Sequence, residues 1–275
     1  MLIITLMQYF KSFDGEKIAY KVHHQPNNPT DSIIIVHGFG GDVAFLDDLV
    51  DELIKENGKK QIISLILRGH SFSSKTFPQD EEYLEEVHAK DLQMLINHLK
   101  TYHPILIGHS LGGIIIQSYL NQNLLPNPRK AFFICSTTQM MGINILRKNF
   151  YKILTNTPNG NDHFKTKNKP FYNQFKNGWD IDFRRFLHDT TVIGSLFLWF
   201  LHFLSIHGWQ NNDIKQLNNK NYYYIFGKND IIVPSFKQYL SLKDLNKLNK
   251  IEINSGHISP ITDHIELAKL INKYL

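Results

Sequence analysis

The sequence predicts an α/β fold, in which a mostly parallel sheet of eight strands carries helices on both faces. Short apolar runs rich in β-branched residues alternate with longer segments whose apolar residues recur every 3.6 positions. This alternation favours a parallel sheet, because each crossover helix packs back onto a sheet face. The 275 residues are 42% hydrophobic and 20% charged, as in an ordinary globular protein, and suffice to bury a sizeable core.

Six strand-like runs lie in the first half of the chain. The first two flank Asp14-Gly15, a strong hairpin signal. Amphipathic helices are predicted over Val43–Ile54 and Glu81–Lys100, and an apolar helix over Ile114–Leu120. The six strand-like runs are Tyr9–Phe13, Lys17–His23, Ser32–Val36, Gln61–Leu67, Ile105–Ile107 and Ala131–Cys135.

The alternation stops after the sixth run and returns near residue 220. The last two strand-like runs are Tyr222–Phe226 and Lys250–Ile253, and helical patterns cover Pro234–Leu242 and Pro260–Leu275. The intervening segment is rich in Asn, Lys and aromatic residues and has weak strand signals. We therefore predict a core of residues 1–138 and 213–275, with a helical cap inserted over residues 139–212.

Ser110 lies at the turn between an apolar strand and an apolar helix, in the sequence Gly108-His109-Ser110-Leu111-Gly112. Such a sharp reversal strains the serine backbone, and the glycines on either side avoid collisions with the adjoining elements. The turn also places the hydroxyl at a helix N-terminus, which favours developing negative charge. We interpret Ser110 as a nucleophile. The alternative is a tight turn with a serine N-cap, which needs neither glycine.

A base and an acid that serve Ser110 should follow other strands, because loops that reach it leave the carboxyl ends of the parallel sheet. His257 comes directly after the last strand, and Asp230 follows the Tyr222–Phe226 strand. A histidine whose tautomer is held by a carboxylate is the usual activator of a serine hydroxyl. Asp213 and Asp263 remain alternative acids, although neither follows a strand.

A glycine-rich loop, His37-Gly38-Phe39-Gly40-Gly41, ends the third strand. Three glycines in five residues free backbone N–H groups to point away from the sheet. Four segments, in order, resemble motifs of the α/β-hydrolase superfamily, in its serine esterase and monoacylglycerol-lipase-like branch. They are the oxyanion motif at His37–Gly40, the nucleophile elbow at Gly108–Gly112, the acid loop at Gly227–Asp230 and the histidine loop at Gly256-His257.

The resemblance implies a role for each matching position. Ser110 would be the nucleophile, His257 the general base and Asp230 its orienting acid, and the amides of Phe39 and Leu111 would form the oxyanion hole. Serine at position 110 argues against the dehalogenase and epoxide-hydrolase branches, which use aspartate there.

A further loop departs from the family pattern. Arg68-Gly69-His70-Ser71 resembles Arg-Gly-His-Gly, with serine in place of the last glycine. This exchange puts the sharp turn there in question.

The resemblance predicts a hydrolase of carboxylic esters with an apolar acyl chain, working through an acyl-enzyme. The predicted substrate contacts are Gly38, His109 and the cap aromatics Phe197, Trp199 and Phe200. A thioesterase or lactonase with the same three residues is an alternative. A ligand-binding receptor on a hydrolase fold, with little turnover, is an alternative of another class.

Composition excludes several other classes. The net charge is +5 and the pI about 9.0, but lysines and arginines are scattered rather than interleaved with aromatics, so nucleic-acid binding is not expected. No metal-ligand spacing or phosphate-cradling loop is present, and we expect no metal and no cofactor. Cys135 is the single cysteine, so no internal disulfide forms, and we interpret it as a small buried hydrophobic residue.

Two apolar segments bear on membranes. The N-terminal residues lack a basic region and a cleavage site, so no signal peptide is expected and the predicted location is cytoplasmic. Val192–Ile206 is shorter than the roughly 20 residues of a membrane span and contains His202. We expect protein to cover this run, with contact between the cap and lipid as the alternative. The sequence leaves the oligomeric state open.

Overall fold

The computed structural model describes residues 6–29, 31–41, 43–81, 83–140, 149–152, 204–206 and 208–275. Its eight strands form a single sheet in the order β1-β2-β4-β3-β5-β6-β7-β8. The pairs β1-β2 and β2-β4 are antiparallel, and the other five pairs are parallel. The predicted mostly parallel eight-stranded sheet is therefore confirmed. The strands are β1 Leu6–Lys11, β2 Lys17–His24, β3 Ser32–Val36, β4 Gln61–Leu65, β5 Ile105–His109, β6 Lys130–Ile134, β7 Tyr222–Gly227 and β8 Asn249–Ile253.

Helices pack on both faces of this sheet. One face holds α1 and α6, which contact each other, and the other holds α2, α3 and the buried side of α4. Short 3-10 helices cover Val43–Leu46 and Ile214–Leu217. The α-helices are α1 Asp47–Glu56, α2 Leu84–His98, α3 Leu111–Asn121, α4 Ser235–Leu242, α5 Ser259–Thr262 and α6 His264–Tyr274.

The central strands are buried on both sides, which explains their continuous apolar runs. Along β3, Ile34 and Val36 join the core beneath α2 and α3, whereas Ile33 and Ile35 join the core beneath α1 and α6. All four are fully buried. Successive side chains of a strand point to opposite faces, so an uninterrupted apolar sequence fills both cores at once. Each such side chain stabilises the fold by about 1.5–3 kcal/mol.

Arg68, in the loop after β4, is the largest fully buried side chain among the residues that the structure describes. Its Nε and Nη2 donate to the two carboxylate oxygens of Asp91 on α2 at 3.0 and 2.7 Å. Its Nη1 and Nη2 donate to Asp14, in the β1-β2 turn, at 2.6 and 3.0 Å, and Nη1 also donates to the carbonyl of Thr76 at 2.8 Å. All five guanidinium hydrogens thus have acceptors. Burial acts to lower the Arg68 pKa, but the two carboxylates outweigh it and raise it.

Some element ends differ from the predicted ones. The first strand was predicted over Tyr9–Phe13, but β1 ends at Lys11, because Ser12 closes the hairpin turn through hydrogen bonds with Glu16 and Gly15 at 2.8 and 3.0 Å. The loop that begins at Arg68 keeps a left-handed turn despite its missing glycine. The φ angles are 84° at Gly69 and 37° at Ser71. The serine therefore adopts a backbone conformation that glycine adopts more readily.

The two ends of the predicted cap lie side by side. Gln139 and Gln210 form an antiparallel bridge, and Met140 N–H donates to the carbonyl of Trp209 at 2.7 Å. Trp209 itself is buried in the core beneath α3. Most of residues 139–212, including Phe197, Trp199 and Phe200, lie outside the described residues, so the domain boundaries stay a prediction.

The structure also bears on the apolar run at 192–206. Only its last three residues are described, and of these Ser205 and Ile206 are buried. Within the part of the chain that the structure describes, none of the helices has the length and hydropathy needed to cross a bilayer.

Candidate active site

Ser110 occupies the sharp turn between β5 and α3, with φ 51° and ψ −114°. This is the strained backbone that the sequence predicts. A β-carbon on Gly108 would lie 2.5 Å from the backbone of Gly112, and one on Gly112 would lie 2.1 Å from the carbonyl oxygen of Val36. Real β-carbons do not approach backbone so closely. Both glycines are therefore steric requirements of the turn.

Ser136, two residues beyond the end of the neighbouring strand β6, holds this turn. Its hydroxyl donates to the carbonyl oxygen of Ser110 at 2.9 Å. A β-carbon on Gly113 would lie 2.4 Å from the Ser136 hydroxyl oxygen, so the second glycine after Ser110 makes room for that side chain. Ser136 is not among the site residues predicted from the sequence. The signal available for it was a polar residue at the carboxyl end of a buried strand.

The structure brings Ser110, His257 and Asp230 together from three separate loops. His257 Nε2 lies 3.0 Å from Ser110 Oγ, and His257 Nδ1 lies 2.8 Å from Asp230 Oδ2. Because a carboxylate oxygen can only accept, Nδ1 carries the hydrogen of the neutral ring and Nε2 is free to accept from the serine hydroxyl. This arrangement allows the imidazole to take the Ser110 proton.

The backbone aims the Asp230 carboxylate at His257. The side chain is fully buried, and its Oδ1 accepts from the amides of Ile232 and Val233 at 2.9 and 2.7 Å. Oδ2 is left to accept from the imidazole. The Asp230 loop is also hydrogen-bonded to the His257 loop, because Asn229 N–H donates to the carbonyl of Ser255 at 2.9 Å. The two loops thus position each other.

The alternative acids make other contacts. Asp263, at the start of α6, accepts hydrogen bonds from the hydroxyls of Ser255 and Thr262. Asp213 precedes a 3-10 helix and accepts from the side chain of Gln216 at 3.3 Å. Asp230 is therefore the carboxylate that the fold presents to His257.

The first glycine loop lies against Ser110. A β-carbon on Gly38 would lie 3.2 Å from that of Ser110. Gly41 N–H donates to the carbonyl of Gly38 at 3.1 Å, and Gly40 between them has φ 69°, as a type II turn requires. The predicted oxyanion donors are Phe39, inside this turn, and Leu111, the first residue of α3. Their roles stay predictions.

His37 supports this loop from inside the protein. Its Nε2 accepts from Leu67 N–H at 3.1 Å, so Nδ1 carries the hydrogen and donates to the carbonyl of Gly38 at 2.8 Å. The ring is fully buried and lies edge-on to that of His70, with centroids 5.0 Å apart. His37 is therefore a neutral bridge between the loops that follow β3 and β4.

His109, a predicted substrate contact, is buried at the end of β5. Burial, with the nearby His257, lowers its pKa to about 3. Its Nε2 lies 2.8 Å from the backbone carbonyl oxygen of His257. No sequence pattern predicts this contact, because the two residues are 148 positions apart.

Cys135 is buried beside the His257 loop. Burial raises its pKa to about 12, so it stays a thiol at neutral pH. Its sulfur lies 3.5 Å from the hydroxyl oxygen of Ser259. Among the described residues, no three His, Cys, Asp or Glu side chains are grouped so as to hold a metal ion.

The chain is similar to a known protein family. Residues 31–171 match the family model of the α/β hydrolase fold. The chain belongs to the α/β-hydrolase family. The matched part of this α/β hydrolase includes the first glycine loop and the Ser110 turn.

Two curated relatives are similar over part of the chain. The protein is 28% identical to protein phosphatase methylesterase 1 of Debaryomyces hansenii over 126 residues, which are 42% of this chain and 31% of the relative. It is 33% identical to the (lyso)-N-acylphosphatidylethanolamine lipase of Bos taurus over 88 residues, 32% of this chain and 25% of the relative. The alignments thus span no more than about a third of these relatives.

A solved structure resembles the fold as a whole. A hydrolase from Pseudomonas aeruginosa PA01 superimposes with a TM-score of 0.71, covering 98% of this chain and 97% of that one. The two are 14% identical, so the likeness concerns the fold alone.

Proposed function

We propose that the protein is a serine hydrolase that cleaves carboxylic esters with an apolar acyl chain. The observation that carries this proposal is the hydrogen-bonded series from Ser110 Oγ to His257 Nε2 and from His257 Nδ1 to Asp230, at 3.0 and 2.8 Å. It joins a hydroxyl, a base and a buried carboxylate in the order that acyl transfer requires.

The reaction has two halves. Ser110 Oγ attacks the ester carbonyl carbon while its proton passes to His257 Nε2, and Asp230 stabilises the resulting imidazolium. The bond from the carbonyl carbon to the alkoxide oxygen then breaks, the proton passes from His257 to that oxygen, and the alcohol leaves while the acyl group stays on Ser110 Oγ as the acyl-enzyme. A water molecule, deprotonated by His257, attacks the acyl-enzyme and releases the carboxylic acid together with free Ser110.

The oxyanion of each tetrahedral intermediate needs donors on the far side of the carbonyl. The amides of Phe39 and Leu111 are proposed for this role. Two observations support this role. Gly38, next to Phe39, lies against Ser110. Leu111 is the first residue of α3, and the N-terminus of a helix favours negative charge. Loss of one such donor raises the barrier by about 3 kcal/mol.

The substrate class rests on two kinds of support. The two curated relatives are named as a methylesterase and a lipase, and both names denote ester cleavage. The aromatic residues predicted for the cap favour an apolar acyl group over a charged one.

The proposal is tested with a series of p-nitrophenyl esters from acetate to palmitate. Turnover should favour an apolar acyl chain and fall by at least about 10⁴-fold in Ser110→Ala. Ser118→Ala is the matched control, because it removes a hydroxyl from helix α3 that contacts the Gln122 side chain and not the Ser110 turn. Absence of turnover at every chain length, or turnover that survives Ser110→Ala, would refute the proposal. Tight ligand binding without turnover would instead favour the receptor function.

A further inference from the structure

The imidazole of His109 is bonded to the backbone of His257. Its Nε2 lies 2.8 Å from the His257 carbonyl oxygen, and a carbonyl can only accept, so Nε2 carries the hydrogen. In the neutral ring Nδ1 is then an acceptor. It is buried and has no hydrogen-bond partner among the described residues. One edge of the ring therefore holds the histidine loop, while the other is closed off from solvent.

The same ring fills the space between the loops around Ser110. Its centroid lies 5.2 Å from that of His257 and 5.3 Å from that of Phe45. A β-carbon on Gly38 would lie 3.0 Å from its Nδ1. His109 thus contacts the first glycine loop and the His257 loop, and it directly precedes Ser110 in the chain.

We propose that His109 is a positioning residue that fixes the His257 backbone so that its ring stays in reach of Ser110. The His109 side chain that donates this hydrogen bond has to be neutral. His257 becomes an imidazolium during the reaction, and a second positive charge about 5 Å away would disfavour its protonation. Burial keeps the His109 ring neutral near pH 7. A lysine or arginine donor would not meet this requirement.

The test uses two variants of similar length, and it rests on the proposed function. In His109→Gln the amide nitrogen can take the place of Nε2, whereas His109→Met fills similar space without a donor. We expect His109→Gln to keep kcat within about threefold, and His109→Met to lower kcat by at least tenfold while KM stays within about twofold.

A second measurement does not depend on turnover. The His257 Nδ1 proton, held by Asp230, should give a downfield proton NMR signal in the unmodified protein and in His109→Gln. The signal should broaden or vanish in His109→Met, because the ring is no longer held. The proposal is overturned if His109→Met keeps both kcat and this signal, or if both variants lose them equally. If the unmodified protein cleaves no ester, the function fails, and the NMR comparison still tests the positioning.

A different observation carries a second inference. Helix α4 presents three large apolar side chains, Phe236, Tyr239 and Leu240, each more than half exposed. They lie at positions i, i+3 and i+4 and so share one helix face, whereas Gln238 and Leu242 are buried. We call the three side chains the α4 face. A groove of about 490 Å³ lies between it and the edge strand β8.

Basic side chains lie on and beside the α4 face. Lys237 is exposed on the same helix, and the Lys250 ammonium lies 5.9 Å from the centroid of the Tyr239 ring. Glu252 is a carboxylate that lines the groove together with Lys250. Ile231, 90% exposed, and Ile232 are exposed apolar residues in the loop between Asp230 and α4.

We infer that the α4 face docks on an anionic lipid surface. Exposed aromatic and aliphatic side chains enter the interfacial region of a bilayer, and each nearby lysine adds attraction to anionic headgroups. A neutral protein partner would match the apolar residues but not the lysines, and an acidic protein is the occupant that a failure to bind vesicles would favour. Docking there would bring the Asp230 loop, and with it the Ser110 site, close to the lipid.

Vesicle co-sedimentation tests this inference without requiring turnover. We expect binding to vesicles of phosphatidylcholine with 30% phosphatidylglycerol, weak binding to pure phosphatidylcholine, and release by salt. The triple variant F236Q/Y239Q/L240Q should bind at least tenfold more weakly. The double variant Y102Q/L125Q, which changes exposed apolar residues outside the α4 face, should bind normally.

Three results would overturn the inference. The first is no binding of the unmodified protein to either vesicle, and the second is equal binding by the triple variant. The third is a dimer in solution that the triple variant dissociates, which would make a second copy of the chain the occupant. Cleavage of a soluble short-chain ester should be the same in all these variants.

Discussion

The hydroxyl of Ser136, in the loop after the neighbouring strand β6, donates a hydrogen bond to the backbone carbonyl of Ser110 at 2.9 Å. Ser136 is nearly fully buried, and the space for its side chain exists because residue 113 is glycine. The strained turn at Ser110 connects β5 and α3, and it is held by a side chain that belongs to neither of these elements.

This contact predicts a coupled pair of substitutions. Gly113→Ala should lower the free energy of unfolding by about 3 kcal/mol or more, because its β-carbon would lie 2.4 Å from the Ser136 hydroxyl oxygen. Gly113→Ala combined with Ser136→Gly should recover at least half of that loss, since the obstructing side chain is gone. Urea denaturation of the four proteins of the cycle measures the coupling. Additive effects would contradict it.

A buried ion network predicts a large difference between two arginines. Arg68→Met would leave Asp91 buried without its countercharge, so the free energy of unfolding should fall by about 3–5 kcal/mol. Arg129→Met breaks an ion pair with Asp31 in which the arginine side chain is 46% exposed, and it should cost less than about 1 kcal/mol. Chemical denaturation compares the two. A loss of less than about 1 kcal/mol in Arg68→Met would contradict this prediction.

The loop after β4 predicts a stabilising change. Ser71 has φ 37°, a left-handed conformation that glycine adopts without a β-carbon penalty. Ser71→Gly should therefore raise the free energy of unfolding, by about 0.5–1 kcal/mol after the entropy of the unfolded glycine is subtracted. Ser74→Gly, in the same loop but without a positive φ, should be neutral or destabilising. A destabilised Ser71→Gly would contradict this account.

Two buried histidines predict the pH dependence of stability. Burial lowers the pKa of both His23 and His109 to about 3, with the charge of Lys21 adding to the effect on His23 and that of His257 on His109. In the unfolded chain their pKa is near 6.5. The unfolded state therefore binds more protons between these values, so this stability is fully present above about pH 7 and is lost as the pH falls toward 3.

The size of this effect can be measured by removing one histidine. Each contributes a slope of about 1.4 kcal/mol per pH unit in the lower part of that window. His23→Gln should reduce the slope by about that amount between pH 6 and pH 4.5, as measured by urea denaturation at several pH values. An unchanged slope would show that His23 does not stay neutral in the folded protein.

The sheet and the convergence at Ser110 could be predicted because they depend on local patterns. Apolar runs such as Ser32–Val36 identify strands buried on both faces, and parallel strands bring their carboxyl ends to one edge. That geometry places Ser110, Asp230 and His257 near one another whatever the details of packing.

The contacts that hold these residues could not be predicted. Ser136, the His109 contact with His257 and the five donors of Arg68 depend on side chains that meet across long separations. The periodicity of apolar residues in the sequence does not predict contacts between such distant side chains. Strand ends also differ from the prediction where the last predicted residues belong to a turn. Ser12, for example, forms hydrogen bonds within the turn after β1.

The central claim is that His257 activates Ser110. The most direct test is the rate at which a fluorophosphonate modifies the protein, with the modified residue identified by mass spectrometry. We expect a single adduct on Ser110, no adduct in Ser110→Ala, and labelling slowed by at least about 10³-fold in His257→Ala. Labelling of another residue, or equally fast labelling in a folded His257→Ala variant, would contradict the claim.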